Sequence, residues 1–154
     1  MPKVSKVAVI GAGPYGLSIG AYLNAAGIDH RIFGVPMEAW LEKMPAGMHL
    51  KSDPIASNLF DPDSRWTLER FYAENGKPYR PRGDFVSIED FSAYGQWFQK
   101  NAVPTLEKKM VTALAKAPDG FQITLDDGET FAARNVVIAS GKVELTPDMG
   151  KACK

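Results

Sequence analysis

Residues 7–16 read Val-Ala-Val-Ile-Gly-Ala-Gly-Pro-Tyr-Gly, a run of apolar β-formers ending in Gly11-x-Gly13-x-x-Gly16. At a strand-to-helix turn each of these glycines has a task. Gly11 permits the tight turn, Gly13 puts no side chain in the way of a pyrophosphate, and Gly16 lets the helix pack close to the strand. The helix N-terminus then offers unpaired N–H groups and a positive dipole end to the phosphates. Glycine-rich hexapeptides also occur by chance. This one has strand-like residues before it and helix-compatible residues after it, the context that gives the motif meaning. The expected chemistry is therefore capture of a dinucleotide pyrophosphate by Gly11, Ala12, Gly13 and Gly16, with Pro14 and Tyr15 opening the helix beside it.

No other constellation in the chain reads as chemistry. His30 and His49 are not at metal-ligand spacing, the acids are scattered, and no nucleophile has a base placed near it by spacing, so no catalytic residue and no metal ligand is assigned. A cofactor that carries the reaction itself needs none. Eighteen Lys and Arg balance eighteen Asp and Glu, which gives no electrostatic reason to expect nucleic acid or an anionic membrane. The one cysteine, Cys153, allows no internal disulfide, and a reducing cytoplasm is the simplest setting. Residues 7–28 carry no charge and are long enough to span a bilayer, but five glycines and Pro14 break the run into strand, turn and buried helix. The 154 residues suffice for one domain with a core.

The elements that must position the glycine turn follow from periodicity. A strand over 4–10, a helix over 14–26 stopped by Gly27, and a strand over 30–33 form a β-α-β unit, the start of a parallel sheet. Residues 35–85 form an irregular insert, rich in Pro, Asp, Ser and aromatics, with short helices expected at 38–43 and 67–74. Ser87 and Asp90 have the spacing of a capping box. Phe91, Tyr94 and Phe98 follow as the core-facing stripe of a helix that Pro104 ends. Residues 110–115, 120–125 and 129–132 read as a β-meander with turns at Asp119-Gly120 and Asp127-Gly128. Residues 135–141, Asn-Val-Val-Ile-Ala-Ser-Gly, read as a separate buried strand that ends in a small-residue turn. The expected fold is α/β: a Rossmann-like parallel sheet with an inserted β-meander over 1–143, and a tail over 144–154.

This order, together with Ala139-Ser140-Gly141 at the strand end, resembles the first half of the FAD domain of two-dinucleotide-domain flavoproteins. Within them, Trp40, Gly47-Met48-His49-Leu50-Lys51-Ser52, Asp61-Pro62-Asp63-Ser64-Arg65-Trp66-Thr67-Leu68 and Phe91-x-x-Tyr94-x-x-Trp97 resemble the flavin-dependent monooxygenases, the N-hydroxylating branch in particular. The likeness covers about 4–141. It implies FAD at the glycine turn, with Phe33 and Gly34 near the adenosine and Trp40 and the loop 48–52 approaching the isoalloxazine. It also implies Ser140 and Gly141 at the flavin side of the sheet edge and Lys51 facing substrate or nicotinamide. A complete enzyme of this kind takes hydride from NAD(P)H. The Gln usual near the flavin is absent, and His49 stands close to its place. A general oxidoreductase of the superfamily fits better than an ornithine hydroxylase.

Two departures from the pattern matter. An acid usually ends the second strand and bonds the adenosine ribose. Here Gly34 stands in its place, the nearest acid downstream is Glu38, and FAD and a nicotinamide dinucleotide both stay open. Arg31 is expected to pair on the sheet surface. Second, the chain holds one GxGxxG where the resemblance implies two, so it is expected to be truncated or split and incomplete as an enzyme. The alternative is a non-catalytic nucleotide-binding module that acts with a second chain carrying the missing NAD(P)H domain. Such a module would show an unpaired sheet edge and an uncovered apolar face. A small NAD(P)-binding protein without flavin fits the long insert and the Val-Val-Ile-Ala-Ser-Gly ending less well.

Overall fold

Strand β1 (Ser5–Ile10) is apolar on both faces because both faces are covered. Val7 and Val9 point into one core with Leu17, Ala21, Ile32 and the aromatics Phe91, Tyr94 and Phe98. Ala8 and Ile10 point into a second core with Phe33, Leu114, Ile123, Leu125 and Phe131. The period of two along a strand thus sorts side chains between a helical layer and a β-layer. The computed structural model describes residues 4–141. The tail over 144–154 and Cys153 lie outside them.

The chain continues through α1 (Pro14–Ala25), β2 (His30–Phe33), α2 (Glu38–Glu42), a single 3₁₀ turn at Pro54–Ala56, α3 (Leu68–Glu74), α4 (Ile88–Ala102), β3 (Val111–Ala117), β4 (Gly120–Leu125) and β5 (Thr130–Ile138). The sheet order is β2-β1-β5-β4-β3. β1 runs parallel to both neighbours, pairing Val9 with Ile32 and with Val137, while β3, β4 and β5 are antiparallel. The α/β reading with a Rossmann-like parallel unit and a meander holds.

Local signals act as their chemistry requires. Gly27 adopts φ +64°, and the amides of Gly27 and Ile28 bond the carbonyls of Asn24 and Leu23, closing α1 in a Schellman motif. Ser87 Oγ accepts from the Asp90 amide at 3.1 Å and caps α4. The Asp90 carboxylate does not reach back to complete the box, because it accepts from Tyr72 Oη and pairs with Lys77.

Two strand expectations need correction. The third meander strand and the final strand are one continuous β5, whose first residues pair with β4 and whose later ones pair with β1. Nor is that final stretch fully buried. β4 leaves β5 after Ala133, and among the described residues the edge of β5 facing away from β1 has no partner beyond that point. Arg134 and Asn135 are exposed there, and Ile138 is 39% exposed.

Candidate functional site

The glycine turn lies between the C-terminal ends of β1, β2 and β5. Gly11 has φ +122°, and a Cβ on it would lie 2.3 Å from the Ala139 carbonyl oxygen. A Cβ on Gly16 would lie 2.0 Å from the Gly11 carbonyl oxygen. The fold itself demands both glycines. Gly13 differs: its backbone is extended (φ −79°, ψ −172°) and a Cβ would meet nothing within 4 Å.

The free space beside Gly13 belongs to a cavity of ≈470 Å³, within the size range of small-molecule sites. Ile10 to Tyr15 form its floor, Phe33 to Val35, the start of α2 (Glu38 to Trp40) and Lys43 and Met44 just past it one wall, and Ala139, Ser140 and Gly141 another. Residues 109–111, entering β3, complete it. Gly13 is the N-cap of α1 and has no side chain to cap with, and no acid sits in the first turn. First-turn amides have no acceptor within their own helix. Those of Gly13, Tyr15 and Gly16 find none elsewhere among the described residues, so the helix end presents donors to the cavity.

Two cations on the β3 side of this cavity are committed. Arg31 lies against the Phe33 and Phe131 rings and bonds Glu107 and Glu129, each at 2.7 Å. It pairs on the sheet as expected. Those bonds hold its guanidinium firmly protonated and pull the Glu129 carboxyl down to about 2, with help from Lys109. Lys109 lines the cavity but is held by Asp127 at 2.8 Å and Glu129 at 2.9 Å, which raise its pKa. Among the described residues no group of His, Cys, Asp or Glu could hold a metal ion, and no helix is long and apolar enough to cross a membrane.

A family model described as pyridine nucleotide-disulphide oxidoreductase matches residues 8–150. The chain belongs to that family. Its fold is the dinucleotide-binding fold of flavoproteins. Among solved structures, a flavin-containing monooxygenase from Stenotrophomonas maltophilia is similar, with TM-score 0.72 and 22% identity over 90% of this chain and 38% of its own. The bacillithiol disulfide reductase Bdr from Staphylococcus aureus gives TM-score 0.71 and 21% identity, covering 92% of this chain and 39% of its own. OTEMO complexed with FAD and NADP gives 0.70 and 20%, over 96% and 28%. The chain thus spans well under half the length of these proteins. No curated protein matches it.

Within this family member, the structure gathers Gly11, Ala12, Gly13, Pro14, Tyr15, Phe33, Gly34, Trp40, Ser140 and Gly141 around one cavity, with Gly16 directly beneath. Lys51 is elsewhere: it is exposed and not part of the lining, as are His49 and Ser52. His49 Nδ1 donates to the Gly47 carbonyl at 3.1 Å. Trp40 contacts the lining and also packs edge-on against Phe91 at 4.7 Å. His30 donates from Nδ1 to the Ile28 carbonyl at 2.8 Å, a local bond at the start of β2. Sequence reasoning missed Glu38 as a wall residue, together with Lys43, Met44, Lys109 and Met110. For Lys109 and Met110 no local signal existed, since a long-range return of the chain brings them to the cavity.

Proposed function

We propose that this chain binds FAD and is the FAD-binding domain of an NAD(P)H-dependent, flavin monooxygenase-like oxidoreductase. The observation that carries this reading is Gly13. The fold needs glycine at 11 and 16, but at 13 the missing side chain serves only the cavity, beside unpaired helix amides. That is the arrangement a pyrophosphate needs. Phe33 and Gly34 border the adenosine in this reading, while Trp40, Ser140 and Gly141 line the rest of the dinucleotide. Bound FAD supplies the hydride-accepting chemistry, and the chain's own part is to hold and orient it. Family membership supports a dinucleotide in redox chemistry, and the similarity to a flavin-containing monooxygenase and to OTEMO complexed with FAD and NADP favours the flavin.

The test is the visible spectrum of the purified chain after FAD is added and the excess removed by gel filtration. Retained flavin bands, about one flavin per chain, are expected. A colourless protein that binds NADPH in calorimetry instead would overturn the assignment to FAD.

A second reading, a binding module completed by a partner chain, is favoured by the open edge of β5 beyond Ala133. Oligomeric state as a function of concentration, by sedimentation, tests it. A monomer at all concentrations that holds FAD unaided would count against it.

A further inference from the structure

We propose that Glu38 accepts the hydroxyls of the adenosine ribose, in place of the acid that ends the second strand in related turns. The inference rests on dinucleotide binding at the glycine turn and names the ligand form that site takes.

The strand end itself is poorly suited to an acid. Gly34 has φ +139°, and a Cβ there would sit 3.0 Å from the Ala12 nitrogen and 3.1 Å from the Ala12 Cβ. A side chain there would strain the backbone and crowd Ala12, which would have to give by a few tenths of an ångström. The chain then folds back instead of leaving. The Met37 amide donates to the Ala12 carbonyl at 3.0 Å, so residue 37 is bonded to the glycine turn. Met37 takes a left-handed conformation, φ 61°, which a non-glycine residue adopts only when its surroundings hold it.

What holds it is α4. Met37 is fully buried, and its side chain fills the notch left by Gly95, where a Cβ would lie 2.4 Å from the Met37 Cγ and Sδ. Fixed at both backbone and side chain, Met37 sets the start of α2. The next residue, Glu38, then lines the same cavity as Gly11 to Tyr15.

Glu38 is half-buried, and its carboxylate has neither hydrogen bond nor ion pair among the described residues. The nearby cations are not paired with it: Lys109 is held by Asp127 and Glu129, Arg31 by Glu107 and Glu129, and Lys43, which lines the same cavity just past α2, makes no ion pair with Glu38 among the described residues. An unpaired carboxylate is an acceptor only. It suits two ribose hydroxyls and repels a 2′-phosphate. The ligand class is therefore an adenine dinucleotide with a free 2′-hydroxyl.

Calorimetry with FAD, ADP, 2′,3′-dideoxy-ADP and 2′-phospho-ADP-ribose tests this on the full chain and on E38A and E38Q. Wild type is expected to bind ADP about tenfold or more tighter than the dideoxy analogue, the weight of a charge-assisted hydrogen bond. E38A should lose that preference and bind ADP about as weakly as the analogue, with E38Q in between and an unchanged melting temperature in both. Loss of the carboxylate should also narrow the gap between ADP and the 2′-phosphorylated probe. Wild type that binds FAD and ADP, with E38A leaving the preference for ribose hydroxyls intact, overturns the role of Glu38 and leaves the FAD reading standing. Wild type that binds neither FAD nor ADP overturns both.

Discussion

Replacing Gly13 and Gly16 in turn by alanine separates what the ligand requires from what the fold requires. At Gly16 the new methyl would lie 2.0 Å from the Gly11 carbonyl oxygen and 2.8 Å from its carbon. Both partners are backbone, so α1 and the β1 turn must separate by more than an ångström. Overpacking of that kind costs about 1–3 kcal/mol. At Gly13 the backbone is already extended, and the methyl meets nothing within 4 Å. An alanine that suits the native φ and ψ stabilises by ~0.4–1 kcal/mol through the unfolded chain. Binding should respond the other way. The Gly13 methyl displaces the pyrophosphate from the first-turn amides, and each charge-assisted hydrogen bond lost is worth roughly 1.5–3 kcal/mol, a tenfold to hundredfold weakening. Thermal melts followed by circular dichroism and FAD titrations followed by flavin fluorescence read the two quantities. The expected pattern is G16A melting several degrees lower, and G13A melting at or above wild type while losing FAD. Full FAD affinity in G13A would refute the placement of the pyrophosphate, and an unchanged melting temperature in G16A would refute the packing argument.

Three further outcomes follow from the same structure. Glu129 titrates at about 2 in the folded chain against 4.5 unfolded, chiefly through its bond from Arg31. Its contribution to stability is thus fully present above about pH 4.5 and is lost as the pH falls toward 2. E129Q should therefore flatten the acid limb of a stability-versus-pH curve, and an acid limb identical to wild type would contradict this. Tyr94 is fully buried; its hydroxyl donates to the Trp66 carbonyl at 2.8 Å and accepts from the Leu59 amide at 3.0 Å. Y94F strands that amide in the core and should cost about 1–3 kcal/mol in urea unfolding. G95A drives a methyl into Met37 and should destabilise by about 1–3 kcal/mol; adding Met37→Ala should make the pair less than additive, measured by the same unfolding.

Much of this protein was legible in short spacings. The glycine turn, the stop at Gly27, the cap at Ser87 and the buried stripe Phe91, Tyr94 and Phe98 all depend on bonds or contacts within a few residues. Such interactions are set by local sterics and donor–acceptor geometry, so residue types at fixed offsets reveal them. The apolar run of β1 likewise announced a strand, while its cover on two faces is a finding of the fold.

The rest was decided between distant segments. That the last meander strand and the last parallel strand are one β5 depends on which neighbour each half pairs with, which a run of apolar residues does not encode. Lys51 is in a suggestive loop, yet the fold leaves it exposed and away from the cavity lining. Glu38 gave the opposite result. In the sequence it is an acid four residues past the usual place. In the fold, an amide bond to Ala12 and a notch at Gly95 bring it back to the glycine turn. The sequence by itself determined that a dinucleotide turn exists and which elements flank it, because a turn is local. Only the tertiary structure decided which side chains surround it, because that depends on packing between residues that sequence separation keeps apart.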